Sequence, residues 1–192
     1  MLRFFDIIFS ILGLLILSPF FLLVALWIKL DSKGPVFYIQ QRVGRGNLDF
    51  DLLKFRSMRI SSDQLGLLTI GARDPRITNS GFFLRKYKLD ELPQLLNVLI
   101  GDMSLVGPRP EVRKYVNYYS EIQLEVLKVR PGITDEASIV YKEENEILVK
   151  SADPEQTYIY EIMPHKLDLN KKFIRHPSLA KYFSLIFKTI FR

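Results

Sequence analysis

The chain has 192 residues, which suits one domain with little to spare for a second. It contains no cysteine, which excludes a disulfide framework, thiolate catalysis and a cysteine-held zinc, and is compatible with a reducing, cytoplasm-facing active region. With 27 basic and 21 acidic residues the net charge is +6, a balance that suits an anionic partner: phospholipid headgroups, a nucleotide or nucleic acid.

Residues 7–28 carry no charge, and a run of about 20 apolar residues is long enough to cross the hydrocarbon core of a bilayer. A cleaved signal peptide would want a shorter apolar core and small residues at a cleavage site, and neither is present. Ser18-Pro19 lies near the middle of the run. Proline removes a backbone donor and crowds the carbonyl four residues earlier, so a helix broken there could enter the membrane, turn and leave by the same face. Arg3 before the segment and Lys29 and Lys33 after it favour one side for both ends. The residues alone leave the spanning and the re-entrant readings open.

Gly34-Pro35 marks a turn, and 36–43 and 50–56 read as two short strands joined through Gly44-Arg-Gly-Asn47 as a hairpin. Residues 61–80 read as loop with a turn at Asp74-Pro75, and 81–87 as a short helix. Between 90 and 99, Leu92, Leu95, Leu96 and Leu99 recur at helical spacing and Gly101 follows the end. Gly107-Pro-Arg-Pro110 is a rigid connector. The spacing predicts an amphipathic helix over 111–128, a turn over 130–134, and helices over 154–163 and 166–174 interrupted by Pro164. In the last segment Leu179, Tyr182, Phe183, Ile186, Phe187 and Ile190 form one stripe with Lys181, Lys188 and Arg192 beside it. Such a stripe suits a helix that covers the domain core and equally one that lies in the membrane interface.

The sharpest constellation is Leu89-Asp-Glu-Leu-Pro-Gln94. Aspartate is a preferred N-cap and proline is comfortable in a first helical turn, so Asp90 and Glu91 read first as a helix start. The same geometry holds two carboxylates rigidly. A carboxylate is a competent nucleophile toward activated phosphorus, and a divalent metal such as magnesium, bound by one or two carboxylates and substrate phosphates, would neutralise a diphosphate. Cations that could join them are Lys54, Arg56, Arg85, Arg109 and Arg130. Arg109 stands out because its flanking prolines fix its backbone. His165 and His176 have no third ligand spaced to join them, and no serine elbow or P-loop is present.

The chain resembles the monotopic phosphoglycosyl transferases, the bacterial sugar transferase family. The resemblance rests on the apolar N-terminus with Ser18-Pro19, Gly34-Pro-Val-Phe-Tyr-Ile-Gln-Gln-Arg-Val-Gly44, Lys54-Phe-Arg-Ser-Met58, Leu89 to Gln94, Asn97, Gly101-Asp-Met-Ser104, Gly107 to Pro110 and Arg130-Pro-Gly-Ile-Thr134, in that order over nearly all of 1–134. It implies an α+β, mainly helical fold with a small β-hairpin and interfacial amphipathic helices, organised as a re-entrant membrane anchor over 1–33, turning at Ser18-Pro19, and a cytoplasmic-face catalytic domain over 34–192. It also implies that Asp90 attacks the β-phosphate of a UDP-sugar, releases UMP and holds the phospho-sugar covalently until a polyprenyl phosphate, typically undecaprenyl phosphate, takes it. Glu91 would position or activate the lipid phosphate, and Mg2+ would sit with Asp90. The partners implied are the UDP-sugar, the polyprenyl phosphate and membrane lipids of the bacterial inner membrane, with no nucleic acid; oligomeric state has no signature here. Two other readings fit the residues: a membrane-bound nucleotide-sugar diphosphatase using water as acceptor, and a non-catalytic membrane-anchored binding module. Asp135-Glu-Ala-Ser138 departs from the Gly-x-Ala-Gln of many members, and 141–172 matches no family motif, so the donor sugar stays undetermined. Without the extra N-terminal helices of larger members, the chain looks like the minimal catalytic unit.

Overall fold

A computed structural model describes residues 2–60, 62 and 74–191. The fold is mainly helical with two small sheets, in the order α1 (Leu2–Asp31), β1 (Phe37–Val43), β2 (Asp49–Phe55), α2 (Asn79–Lys86), α3 (Gln94–Ile100), β3 (Ser104–Val106), α4 (Arg113–Val116), β4 (Gly132–Thr134), α5 (Glu136–Val140), α6 (Glu144–Lys150), α7 (Pro154–Thr157), α8 (Met163–Arg175) and α9 (Leu179–Ile190). Most of the loop expected over 61–80 lies outside the described residues, but the turn at its end is formed, with the Arg76 amide and guanidinium both bonded to Asp74.

α1 is the one described helix long and apolar enough to cross a membrane. It stays helical through Pro19. The amide that proline lacks would have bonded to the carbonyl of Leu15, and the Ser18 hydroxyl donates to that carbonyl instead, at 2.8 Å. Both ends of α1 are tied to the same body. At the start, the Arg3 guanidinium donates to the Val98 and Leu99 carbonyls at the C-terminus of α3, and buried Asp6 accepts from Ser104 Oγ, the Leu105 amide and Tyr182 Oη. At the end, Asp31 accepts from the amide and hydroxyl of Ser80 in the first turn of α2. Midway, Gly13 lies so close to α3 that a Cβ there would stand 3.1 Å from Leu95 Cδ1. Val24 and Ile28 close a core with Phe55 and Leu84. The far side of α1 leaves Leu15, Ile16, Leu22, Leu23, Leu26 and Leu30 exposed.

The hairpin forms as expected, paired from Phe37 with Phe55 to Val43 with Asp49, and Gly46 and Asn47 supply the positive φ that its tight connection needs. Asn97 of α3 locks onto β2: its Nδ2 donates to the Asp51 carbonyl and its Oδ1 accepts from the Leu53 amide.

Three expectations are corrected. Residues 130–134 are not only a turn, because Gly132–Thr134 is a strand paired in parallel with Ser104–Val106. The approach is closer than a side chain allows, since a Cβ on Gly132 would meet the Gly107 amide nitrogen at 2.1 Å. The helix expected over 111–128 is two short pieces, α4 and a 3-10 helix over Gln123–Lys128. Between them Gln123 Oε1 takes the Ser120 amide and Ser120 Oγ takes the Gln123 amide, a reciprocal cap that starts a new segment. Pro164 does not interrupt its helix: α7 runs through a π-helical turn at Tyr158–Ile162 directly into α8. The wide turn shifts the carbonyls that the proline ring would otherwise strike. α9 buries Tyr182 and Leu185 against Val106 and Phe173, so one edge covers the core, while Phe187 and Ile190 stay exposed.

Candidate active site

Asp90 and Glu91 sit in a 3-10 turn, Leu89–Glu91, entered through Lys88 in the left-handed region at φ 57°. The helix proper begins later, at Gln94, with Pro93 as its N-terminal flank and no side-chain cap. Asp90 is therefore not a capping residue, contrary to the simplest reading of the sequence. The turn is placed over the hairpin by Asn97, and it opens on a cavity of about 950 Å³ whose wall includes Lys54, Arg85, Lys88, Asp90, Glu91 and Arg109.

The two carboxylates have opposite surroundings. Arg109 grips Glu91 with both guanidinium nitrogens, Nη1 standing 3.1 Å from Oε2 and Nη2 on Oε1. Lys54 Nζ adds a contact at 3.5 Å. Burial works to raise the Glu91 pKa, but the charges of Arg109 and Lys54 outweigh it and hold the group well below the usual range. Asp90, only 6% exposed, accepts no hydrogen bond from another described side chain. Burial and then the charge of Glu91 push its pKa up, against the opposing pull of Lys54, Arg85 and Lys88. Burial lowers Lys54 to about 8, with Glu91 pulling the other way.

The other expected cations go elsewhere. Arg56 lines the wall, but its guanidinium donates to the carbonyls of Ser32 and Lys33 just beyond the end of α1. Arg130 lies off the cavity and donates from Nε to the Gly101 carbonyl at 2.7 Å. His165 bonds through Nδ1 to the Tyr141 hydroxyl. Two residues that sequence reasoning missed organise the site. Asp135 caps α5 by accepting from the Ser138 amide, and its other oxygen takes the Arg109 amide and Asn170 Nδ2, so it fixes the backbone that carries Arg109. Arg42 reaches from β1 to the Pro110 carbonyl and Glu111, bracing the same connector from the other side. The only signal for Asp135 was its departure from the family pattern.

Among the described residues no group of three or more His, Cys, Asp or Glu could enclose a metal. Asp90 nevertheless fits a magnesium that takes its remaining ligands from phosphate oxygens, because its carboxylate lines the cavity and no side-chain donor among the described residues competes for it.

The sequence matches the family described as bacterial sugar transferase over residues 1–192. It is 40% identical, over 96% of its length, to a UDP-N-acetylgalactosamine-undecaprenyl-phosphate N-acetylgalactosaminephosphotransferase from Aeromonas hydrophila. It is 35% identical, over 97% of its length, to a UDP-glucose:undecaprenyl-phosphate glucose-1-phosphate transferase from Escherichia coli strain K12. An exopolysaccharide production protein, PSS, from Rhizobium leguminosarum is 48% identical over 69% of this chain and 70% of its own length. The chain spans 41% and 39% of the lengths of the first two relatives.

Proposed function

The chain belongs to the bacterial sugar transferase family, and from that premise we propose that it transfers a sugar-1-phosphate from a UDP-sugar to undecaprenyl phosphate, the step that begins assembly of a bacterial polysaccharide. The observation that carries this reading is the unequal pair at 90 and 91. Glu91 is bonded by Arg109 and Lys54, whereas the Asp90 carboxylate is shielded from water, lines the cavity and accepts from no side chain among the described residues. A buried carboxylate with a raised pKa is more basic, and so more nucleophilic, than a solvated one. An Asp90 oxygen attacks the β-phosphorus, the bond from that phosphorus to the bridging oxygen breaks, and UMP leaves with the electron pair. An oxygen of the lipid phosphate then attacks the same phosphorus and displaces the Asp90 carboxylate, giving the polyprenyl diphosphate-sugar. Arg85 and Lys88, on the same wall, offset the charge of the diphosphate. Magnesium held by Asp90 and the diphosphate would polarise the phosphorus and neutralise the leaving group.

The placement of α1 supports a re-entrant anchor on the cytoplasmic face. A helix whose first turn is bonded to α3 and α9 and whose last turn is bonded to α2 has both ends on one body. A straight crossing would carry one end across about 30 Å of hydrocarbon. Because α1 stays helical through the Ser18-Pro19 step, where the hydroxyl replaces the missing donor, the turn in this reading is a proline kink within the helix and not a break in it. Because the chain has no cysteine, single cysteines at positions 2 and 33 in inverted vesicles read the topology without background. Labelling of both from the cytoplasmic side is expected, and labelling from opposite sides refutes the re-entrant reading.

For the reaction, the protein is incubated with UDP-sugars, undecaprenyl phosphate and magnesium, with UMP as the readout. Donor and magnesium without lipid should leave a phospho-sugar adduct on Asp90 in the mass spectrum. Sugar-1-phosphate in place of a lipid product would show that water is the acceptor and overturn the transferase reading.

A further inference from the structure

The walls of the cavity differ in chemistry. Beside the dyad stand Arg85, Lys88 and the exposed ring of Tyr87, cations and an aromatic face of the kind that suit a nucleotide. Where α9 lines the cavity the wall is apolar, with Ile186 and Ile190. A third wall, built from residues that follow β4, is neither. There Lys166 Nζ and Glu144 Oε2 form an ion pair at 2.7 Å, with side chains only 14% and 24% exposed. Lys166 Nζ stands 5.5 Å from the centre of the Tyr158 ring. Tyr141 Oη, held 2.7 Å from His165 Nδ1, completes the group. Ser138 Oγ, on the same wall and shielded from water, has no hydrogen-bond partner among the described residues.

We infer that this wall, carried by Glu144, Lys166, Tyr141, Tyr158 and Ser138, holds the sugar of the nucleotide donor and discriminates between sugars. The inference rests on the transferase reading of the same cavity. A close ion pair sets a strong acceptor beside a strong donor and carries no net charge. A diphosphate gains nothing from it, while a neutral hexose with adjacent hydroxyls, each both donor and acceptor, meets both partners at once. The half-buried Tyr141 ring offers an apolar face to the C–H side of a pyranose, while the buried Tyr158 ring backs Lys166. Ser138 Oγ gains the partner it lacks. The relatives are named for two different sugars, so proteins similar to this chain differ in the sugar they take, and a wall of hydroxyl-binding groups is a place where such a choice can be made.

Binding without turnover tests the inference. Titration calorimetry with UDP, UDP-glucose and UDP-N-acetylgalactosamine is run in magnesium on the full chain carrying Asp90→Asn, the parent here because it forms no adduct, and on the same chain with Glu144→Gln, Lys166→Met or Tyr141→Phe added. The expected result is UDP affinity within about twofold of the parent, with affinity for at least one UDP-sugar falling about 5- to 20-fold and the ratio between the two sugars changed, as loss of one or two hydrogen bonds to a charged group predicts. Parallel loss for UDP would assign the wall to the nucleotide and overturn the inference. So would unchanged affinities throughout, or a parent chain that binds UDP and both UDP-sugars equally. Tyr141→Phe deletes a single oxygen on the surface, and its UDP affinity doubles as a check of folding. If the chain with Asp90 intact releases no UMP from donor, magnesium and lipid, the transferase reading is refuted and this binding result stays readable.

Discussion

Buried charge is handled in two ways in this molecule. Where α1 joins the body, the buried and half-buried charged groups are all bonded: Asp6 by three donors, Arg3 by the α3 carbonyls, Asp31 by Ser80, and Arg56 through Nη1 and Nη2 by the carbonyls around the end of α1, with its Nε left without a partner among the described residues. At the turn of 89–91 the distribution is lopsided, with Glu91 bonded by Arg109 and Lys54 and Asp90 accepting from no side chain among the described residues. A buried group without partners costs free energy, so a site that keeps one marks the place where a ligand supplies the missing interaction. Saturation holds the anchor together, and deficit marks the chemistry.

The largest test of that contrast is Asp90→Asn. UMP release should fall on the order of 10^4-fold or more, as it does when a nucleophile is deleted, and the adduct should vanish from the mass spectrum. Stability should not fall. Burial raises the folded-state pKa of Asp90, so the native chain binds more protons than the unfolded one in the window between the ordinary carboxylate pKa and the raised one. Stability therefore decreases as pH rises through that window, and denaturant titrations at several pH values should show the variant free of that decrease. A variant that loses both activity and stability would place Asp90 among the saturated, structural acids.

Glu91→Gln should do the reverse in kind. It removes the counter-charge of Arg109 and Lys54, and about 1.5–3 kcal/mol of stability should go with it at neutral pH. Because the Glu91 pKa is depressed, its stabilisation is present above the ordinary carboxylate pKa and lost only as pH falls through the depressed one, so the two proteins should converge in acid. Turnover should fall roughly 10^2-fold through displacement of the cations, with an adduct still detectable. Absence of any adduct would mean that Glu91, not Asp90, is the nucleophile.

Lys54 sharpens the contrast through pH. With its pKa lowered to about 8, kcat/KM for the donor should fall above pH 8 with a slope approaching ~10-fold per pH unit. Lys54→Arg, which stays charged, should abolish that limb. Stability runs the other way: between about 8 and the usual lysine value the unfolded chain holds more protons, so this residue's contribution to stability rises with pH as activity falls. An alkaline limb that survives in the arginine variant belongs to another group.

The hairpin, α2, α3 and the dyad were legible in the sequence because each is encoded locally, by Gly44 to Asn47, by the leucine spacing and by adjacent acids. What was not legible depends on distant partners. The β3–β4 pairing joins two three-residue strands through the close approach of Gly107 and Gly132, and neither segment has strand periodicity of its own. The helix expected over 111–128 was judged from its apolar spacing, and the reciprocal Ser120 and Gln123 bonds that divide it weigh nothing in such a count. Arg56 and Arg130 were grouped with the phosphate-binding cations by charge alone, yet what each reaches is a set of carbonyls, which charge does not reveal. Asp135 shows in the sequence only as a departure from the family pattern, and only the fold brings the Arg109 amide to its second oxygen.

The smallest effect on activity is expected from Asp6→Asn, at the saturated end of the comparison. Asparagine keeps one oxygen acceptor, so the Ser104 hydroxyl, the Leu105 amide and the Tyr182 hydroxyl compete for a neutral acceptor in place of a charged one. The loss should be about 1–3 kcal/mol, the range for a buried hydrogen bond left unmade. Asp6 does not itself line the cavity and reaches it only through the Leu105 amide, so the KM for the donor should stay within about twofold wherever the protein is folded. If turnover fell while stability and donor KM held, the tie between the start of α1, β3 and α9 would be setting how the dyad meets the lipid acceptor, and the division between a saturated anchor and a deficient centre would have to be redrawn to include the anchor in the reaction.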